Sequence, residues 1–172
     1  MNIKVVEHNP AWKKDYRKEE REIKTFLEGE LVNSFHIGST AVPGLKAKPI
    51  IDILLVVHDI HALDRYTVQF EQLGYEVMGE FGIRGRRYYR KGGDDRTHQI
   101  HAFPFDHVQE IERHLVFIDY LCHHPEVAKD YGELKSELAQ QYPHDIEGYG
   151  DGKDEFVKEV EKKALIWYWT VR

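Results

Sequence analysis

Up to about residue 105, apolar positions alternate between helical spacing and short continuous runs; beyond it they are helically spaced alone. Asn9-Pro10 has the form of an N-cap followed by a first-turn proline, and Trp12, Tyr16, Ile23, Phe26 and Leu27 give the apolar stripe of a helix ending at Gly29. Residues 31–37 predict a strand running into Gly38-Ser39, and residues 40–46 hold a short helix interrupted by Pro43-Gly44. Residues 50–57 form an aliphatic run bounded by Pro49 and His58-Asp59, the mark of a buried central strand. Leu63, Tyr66, Phe70 and Leu73 predict a helix over residues 61–73 that stops at Gly74, with a strand at 75–79 after it. Residues 85–91 and 97–103, joined through Gly92-Gly93-Asp94-Asp95, predict a hairpin. Three helices follow, over residues 108–122, 126–140 and 154–169, broken at His124-Pro125 and Pro143, with a polar loop through Gly152. The expectation is one domain over residues 1–172, with a sheet part to about 105 and a helical part from about 106.

Composition narrows the functional classes. With 30 acidic against 24 basic residues the formal net charge is −6, which argues against general nucleic-acid binding. The single cysteine, Cys122, permits no intrachain disulfide. It sits in an apolar helical context that favours packing over reactivity. The N-terminus lacks a signal pattern, and no apolar run approaches the ~20 residues needed to span a bilayer. A cytoplasmic location without membrane attachment is therefore expected. The bulky ending Trp167-Tyr168-Trp169 reads as docking onto the core or as a homodimer contact.

The candidate chemistry gathers around residues 36–57. The turn Gly38-Ser39-Thr40 can set backbone N–H groups around a phosphate. Asp52 opens the central strand, where an unpaired carboxylate is costly to bury. The string Gly38-Ser39-Thr40-Ala41-Val42-Pro43-Gly44-Leu45, followed by Lys48-Pro49-Ile50-Ile51-Asp52-Ile53, resembles the signature of the GrpB family in the nucleotidyltransferase superfamily. The likeness continues through Tyr75, Arg96, residues 98–103 and 117–121, Tyr131, Lys135, Tyr149 and Lys153, and so covers nearly the whole chain. It implies an α+β fold, a nucleotidyltransferase-like mixed β-sheet flanked by helices with a helical C-terminal third. It also implies a pocket, without fixing its substrate; the leading expectation is that this pocket binds a nucleotide or other phosphorylated small molecule, with metal-dependent nucleotidyl transfer as the activity to test.

Transfer of this kind needs a phosphate cradle, acids that hold divalent metal, and positive charge. Gly38, Ser39 and Thr40 fit the cradle, and Asp52 fits a Mg²⁺, Mn²⁺ or Zn²⁺ ligand. Lys48 and the hairpin residues Arg86 and Arg87 could supply the charge. The superfamily's usual second acid, two residues along the strand, is Leu54 here, and leucine ligates no metal. On the later strand, residues two apart share a face, so Gln99, His101 and Phe103 align while His98 points away. His101 is thus the pocket candidate, as acid–base group or metal ligand. His36 is a third candidate ligand; like His101, it could instead satisfy buried polar groups. The family tends to carry a second histidine at the position of Gln99, a departure that weakens a paired-histidine metal site. The arginine hairpin is either a wall over phosphate or a charged edge strand that resists aggregation. Lys135 and Lys153 match family positions and either reach a phosphate or lie solvated on their helices. Two further readings stand beside nucleotidyl transfer: a non-catalytic binding or regulatory module, and a metal-dependent hydrolase using Asp52 and His101.

Overall fold

A computed structural model describes residues 1–171. Its centre is a five-stranded mixed sheet in the order β1-β2-β5-β4-β3, formed by Leu31–Ile37, Ile51–Val57, Glu76–Val77, Arg87–Lys91 and His98–Pro104 as β1 to β5. β2 and β5 run parallel; the other neighbours are antiparallel. The register sets Ile37 opposite Asp52 and Asp52 opposite Gln99.

Alternation then sorts the side chains. Ile53, Leu55, Val57, Ile100 and Ala102 face α1 (Trp12–Leu27) and α2 (Thr67–Gln72), forming the main core with Ile23, Leu27, Phe70 and Tyr89. Ile53, Leu55 and Val57 are fully enclosed, each contributing roughly 1.5–3 kcal/mol by burial. Ile37, Leu54, Val56 and Phe103 face the other way, against Ile111 and Leu115 of α3 (Val108–His123). α4 (Pro125–Gln141) and α5 (Ile146–Val171) complete the helical part, with Val42 and Leu45 inserted between the helices. The apolar half of the 38–45 stretch thereby anchors the turn to the helical third. Among the described residues, no helix is long and apolar enough to cross a membrane.

Several element boundaries differ from expectation for identifiable reasons. Asn9 does accept a hydrogen bond from the Ala11 N–H at 2.9 Å, but the regular helix opens at Trp12. Gly29 does not end that helix in a left-handed cap: it lies inside a 3-10 turn, Glu28–Glu30. The short helix expected over 40–46 shrinks to a 3-10 turn, Ser39–Ala41. The one over 61–73 begins as a 3-10 segment, Ile60–Tyr66, capped by Asp59, before α2. The strand after it keeps only Glu76–Val77. Because β3 covers its outer side, β4 is not an edge strand.

The largest difference is α5, which starts at Ile146 instead of 154. Asp145 Oδ1 accepts from the Gly148 N–H at 3.0 Å and caps the helix. A Cβ on Gly148 would lie 2.5 Å from the Tyr142 ring, and one on Gly152 would collide with Leu138. These glycines admit close packing of α5 on α4 and its end; they do not form a loop. Trp167 packs against Tyr120 and His124, whereas Trp169 is exposed.

A half-buried ion pair lies on the α1 side. The Glu19 carboxylate accepts from Lys91 Nζ and Tyr75 Oη, both at 2.7 Å. Burial alone would raise its pKa, but these two donors together hold it below the usual carboxylate range.

Candidate functional site

The site lies where β1 ends and β2 begins. Gly38 takes a left-handed backbone (φ 73°), which turns the chain across the start of β2. A Cβ there would come within 2.5 Å of Asp52 Oδ2, so only glycine lets the turn lie against this carboxylate. Thr40, buried, fastens the turn from inside: its Oγ1 donates to the Ile50 carbonyl at 3.2 Å and accepts from His36 Nε2 at 2.9 Å.

Asp52 projects from the α3 face of the sheet, as do Gln99 and His101. His101 Nε2 donates to Asp52 Oδ1 at 3.4 Å, and with the amide oriented to suit its neighbours Gln99 Nε2 donates to the same oxygen at 2.9 Å. Gln99 Oε1 then accepts from Tyr88 Oη at 3.3 Å and from Arg96 at 3.2 Å. Behind His101 stands Arg86, buried, its guanidinium also bonded to the Glu80 and Phe81 carbonyls. Arg86 Nη1 donates to His101 Nδ1 at 3.3 Å. Since a guanidinium can only donate, Nδ1 accepts and the imidazole proton sits on Nε2, directed at Asp52.

Beside Asp52, α4 and α5 bring two lysines to meet Lys48. Lys135, Lys48 and Lys153 line a small inner cavity of about 120 Å³ together with Ser39, Thr40 and Tyr149. Lys135 is 2% exposed, and its Nζ has no hydrogen-bond partner among the described residues. It lies over the Tyr131 ring at 4.4 Å, while Lys48 and Lys153 lie over Tyr149 at 4.8 and 5.3 Å. Burial, with Lys153 and Lys48 adding repulsion, pushes the Lys135 ammonium down to about 6. Burial and Lys153 push Lys48 down to about 8. The inner cavity shares Ser39, Asp52, Gln99 and Lys153 with an outer cleft of about 330 Å³ between the sheet, α3 and α5. Phe117, Ile118 and Val157 give that cleft apolar walls, and Arg113 bridges Glu110 and Glu161 beside it.

The structure therefore brings together Gly38, Ser39, Thr40, Lys48, Asp52, His101, Lys135 and Lys153. It does not bring His36 or Arg87 into this group. His36 stands on the opposite face of β1, stacked on Tyr16 at 5.0 Å, and burial pushes its pKa down to about 4. Arg87 turns away to pair with Asp64 at 2.8 Å. Arg86 serves as a support for His101 and not as a wall over the cavity. Leu54 is fully buried against Phe103 and Ile37 and has no place in the site. With His36 facing elsewhere, Asp52 and His101 are the two candidate metal donors left together. Among the described residues no group of three histidines, cysteines or acids is placed to hold a metal ion. The site does not fit a metal held by protein ligands alone.

Sequence reasoning missed Arg113, His114 and Glu161. His114, whose ring lies 5.4 Å from His101 and whose pKa burial pushes down to about 3, does carry a signal. It interrupts the apolar stripe through Ile111, Leu115 and Ile118, where a polar residue must face something other than solvent.

Comparison with known proteins gives a consistent picture. The family described as GrpB protein matches residues 2–163. UPF0157 protein YqkA of Bacillus subtilis (strain 168) is 42% identical over 165 residues, covering 96% of this chain and 48% of YqkA, so the chain spans about half of that relative's length. The crystal structure of conserved protein GrpB from Enterococcus faecalis superposes with a TM-score of 0.93 at 48% identity, covering 96% of this chain and 99% of that one. A distant likeness, TM-score 0.51 at 10% identity over 79% of this chain and 45% of the other, is to the structure of the GLD-2/RNP-8 complex. That likeness bears on the fold alone, which is the nucleotidyltransferase-like α+β arrangement expected.

Proposed function

This chain belongs to the GrpB family, and we propose that its cleft binds a nucleotide or another phosphorylated small molecule. The observation that carries this reading is Lys135: a lysine held almost wholly out of water, its Nζ unpartnered, beside two further lysines. Burial and the neighbouring lysines disfavour the charged form of Lys135, which faces the Tyr131 ring, and an anionic ligand restores the ammonium and supplies its hydrogen-bond partner. A phosphate meets the Lys48, Lys135 and Lys153 side chains and the Gly38-Ser39 turn; the remainder of the ligand lies along Phe117 and Ile118. The outer cleft has the volume expected at the lower end of small-molecule pockets.

Within this reading Asp52 is the candidate for nucleotidyl transfer, held in place by Gln99 and by His101. A specific observation favours the second use, binding without turnover: the place of the usual second acid is Leu54, locked in the core. The hydrolase reading needs a metal-held water, and Asp52 with His101 lacks a third ligand for it. A cytoplasmic location belongs to the same proposal.

The test is a thermal-shift screen of nucleoside mono-, di- and triphosphates and sugar phosphates, with and without Mg²⁺, on wild type and Lys135→Met. A ligand-dependent rise in Tm in wild type, absent in the variant, is expected. No rise with any phosphorylated compound would contradict the proposal. ³¹P NMR of the stabilising ligand with candidate acceptors then separates transfer from binding.

A further inference from the structure

Resting on that reading, we infer that the inner cavity receives the terminal phosphate of a phosphate monoester, doubly charged and entering end-first, and that it rejects phosphodiesters. The first argument is charge. Lys48, Lys135 and Lys153 face the cavity, with Asp52 as the one acid among its lining residues. Ser39, Thr40, Gln99 and Tyr149 are neutral. Asp52 makes no ion pair with the lysines among the described residues, and its attraction for Lys48 and Lys135 is outweighed by their burial and mutual repulsion. Its Oδ1 accepts from His101 and Gln99, while Oδ2 lies close beside Gly38. Three lysines and one acid give an excess of two positive charges once a bound dianion draws Lys135 and Lys48 into their protonated forms, which burial and mutual repulsion disfavour in the empty cavity. A phosphate monoester near neutral pH carries about two negative charges, since its second pKa is ≈ 6; a diester carries one.

The second argument is shape. At about 120 Å³ the inner cavity is far below the size of pockets that enclose whole small molecules. It adjoins the outer cleft of about 330 Å³ at Ser39, Asp52, Gln99 and Lys153, which line both. The inner walls are closed: Tyr149, Lys135, Thr40 and Ala47 are all nearly inaccessible. A phosphate with a single ester substituent can point its free oxygens at the lysines and leave its organic part in the outer cleft. A diester would have to turn a carbon substituent into the closed, cationic end. The acidic surface of the chain as a whole, at net charge −6, agrees with capture of a small ligand over a nucleic-acid backbone.

The experiment uses isothermal titration of the full chain with inorganic phosphate, phenyl phosphate and methyl phenyl phosphate, and with two variants, Lys135→Met and Lys48→Gln. Inorganic phosphate and phenyl phosphate are expected to compete for one site, and methyl phenyl phosphate to bind at least tenfold more weakly. Each variant is expected to weaken phenyl phosphate at least tenfold; Lys48→Gln keeps the test open if Lys135→Met does not fold. Equal affinity for monoester and diester overturns the inference and leaves the phosphorylated-ligand reading standing. Binding of inorganic phosphate without phenyl phosphate also overturns it, since the end-first path would then be closed. Failure of all three probes, together with every nucleotide and sugar phosphate in the screen, overturns both.

Discussion

Replacing Lys135 by methionine should make the protein more stable and less able to bind its ligand. Methionine keeps the length and apolar stem of lysine and removes the group that burial penalises. Lys135 is 2% exposed, with its pKa pushed down to about 6 from an ordinary value of 10.5. The unfolded chain therefore binds a proton that the folded chain gives up at every pH between those two values. Stability rises with pH across that window: the penalty is absent above about 10.5 and complete once pH falls below about 6. Taking 1.36 kcal/mol per pH unit, folding near pH 7 carries a penalty of about 5 kcal/mol, and near pH 9 about 2 kcal/mol. Both are upper bounds, because water entering the cavity screens the charge. Lys135→Met removes the penalty. Even half of it near pH 7 would raise Tm by roughly 5–10 °C in a chain of this size. Urea unfolding of wild type and variant from about pH 6.5 to 9.5 measures the difference directly. The account expects the variant to be more stable throughout, by a margin that narrows as pH rises. A variant that is equally or less stable, or a margin that ignores pH, would refute the claim that Lys135 is buried without a counterion.

Gly38→Ala should cost about 1–3 kcal/mol for a positive-φ, extended-ψ backbone that only glycine adopts readily and push Asp52 aside, so Tm falls and phosphate binding weakens together; a normal Tm with intact binding would mean the turn does not rest on Asp52. Asp52→Asn removes the one acid facing the lysines, so phosphate should bind roughly three- to tenfold more tightly by calorimetry, while any transfer activity disappears; weaker binding would give Asp52 a direct role in holding the ligand. Glu19→Gln leaves Lys91 without its carboxylate and should cost roughly 3 kcal/mol, as read by urea unfolding. Because Glu19 titrates below its ordinary value, its contribution is present above pH ~4.5 and is lost as pH falls through the folded pKa; wild type and variant should therefore converge in acid, and a constant gap would contradict the pair.

The strands were legible because alternation carries its own register. Once Asp52 lies on one face of β2, Leu54 and Val56 must share it, and Gln99 and His101 meet them from β5. The placement of His101 beside Asp52 follows from that parity. The direction of His36 obeys the same rule: Ile37, not His36, pairs with Asp52 across the strands, so His36 points to α1. Glycine was the less readable signal. Gly148, Gly150 and Gly152 look like a loop, yet the first and third permit helix contact that any side chain would block. Arg86 and Arg87 are adjacent and chemically alike, and strand geometry sends them to opposite faces, one behind His101 and one to Asp64. The lysine cavity had a sequence mark in hindsight. Lys135 occupies an apolar stripe with Ala128, Tyr131 and Leu138, where a solvated lysine does not belong. What no single segment contains is the convergence itself, since Lys48, Lys135 and Lys153 come from a loop and two helices far apart in the chain.

The central claim is that a phosphate group fills the space between three lysines, and the most direct measurement is a crystal structure of the protein with phenyl phosphate. The account predicts phosphate oxygens within hydrogen-bonding distance of Lys135 Nζ, Lys48 Nζ and Lys153 Nζ, with the phenyl ring in the cleft beside Phe117. A phosphate bound elsewhere, with the Lys135 ammonium still unpartnered or bonded to water alone, would contradict it.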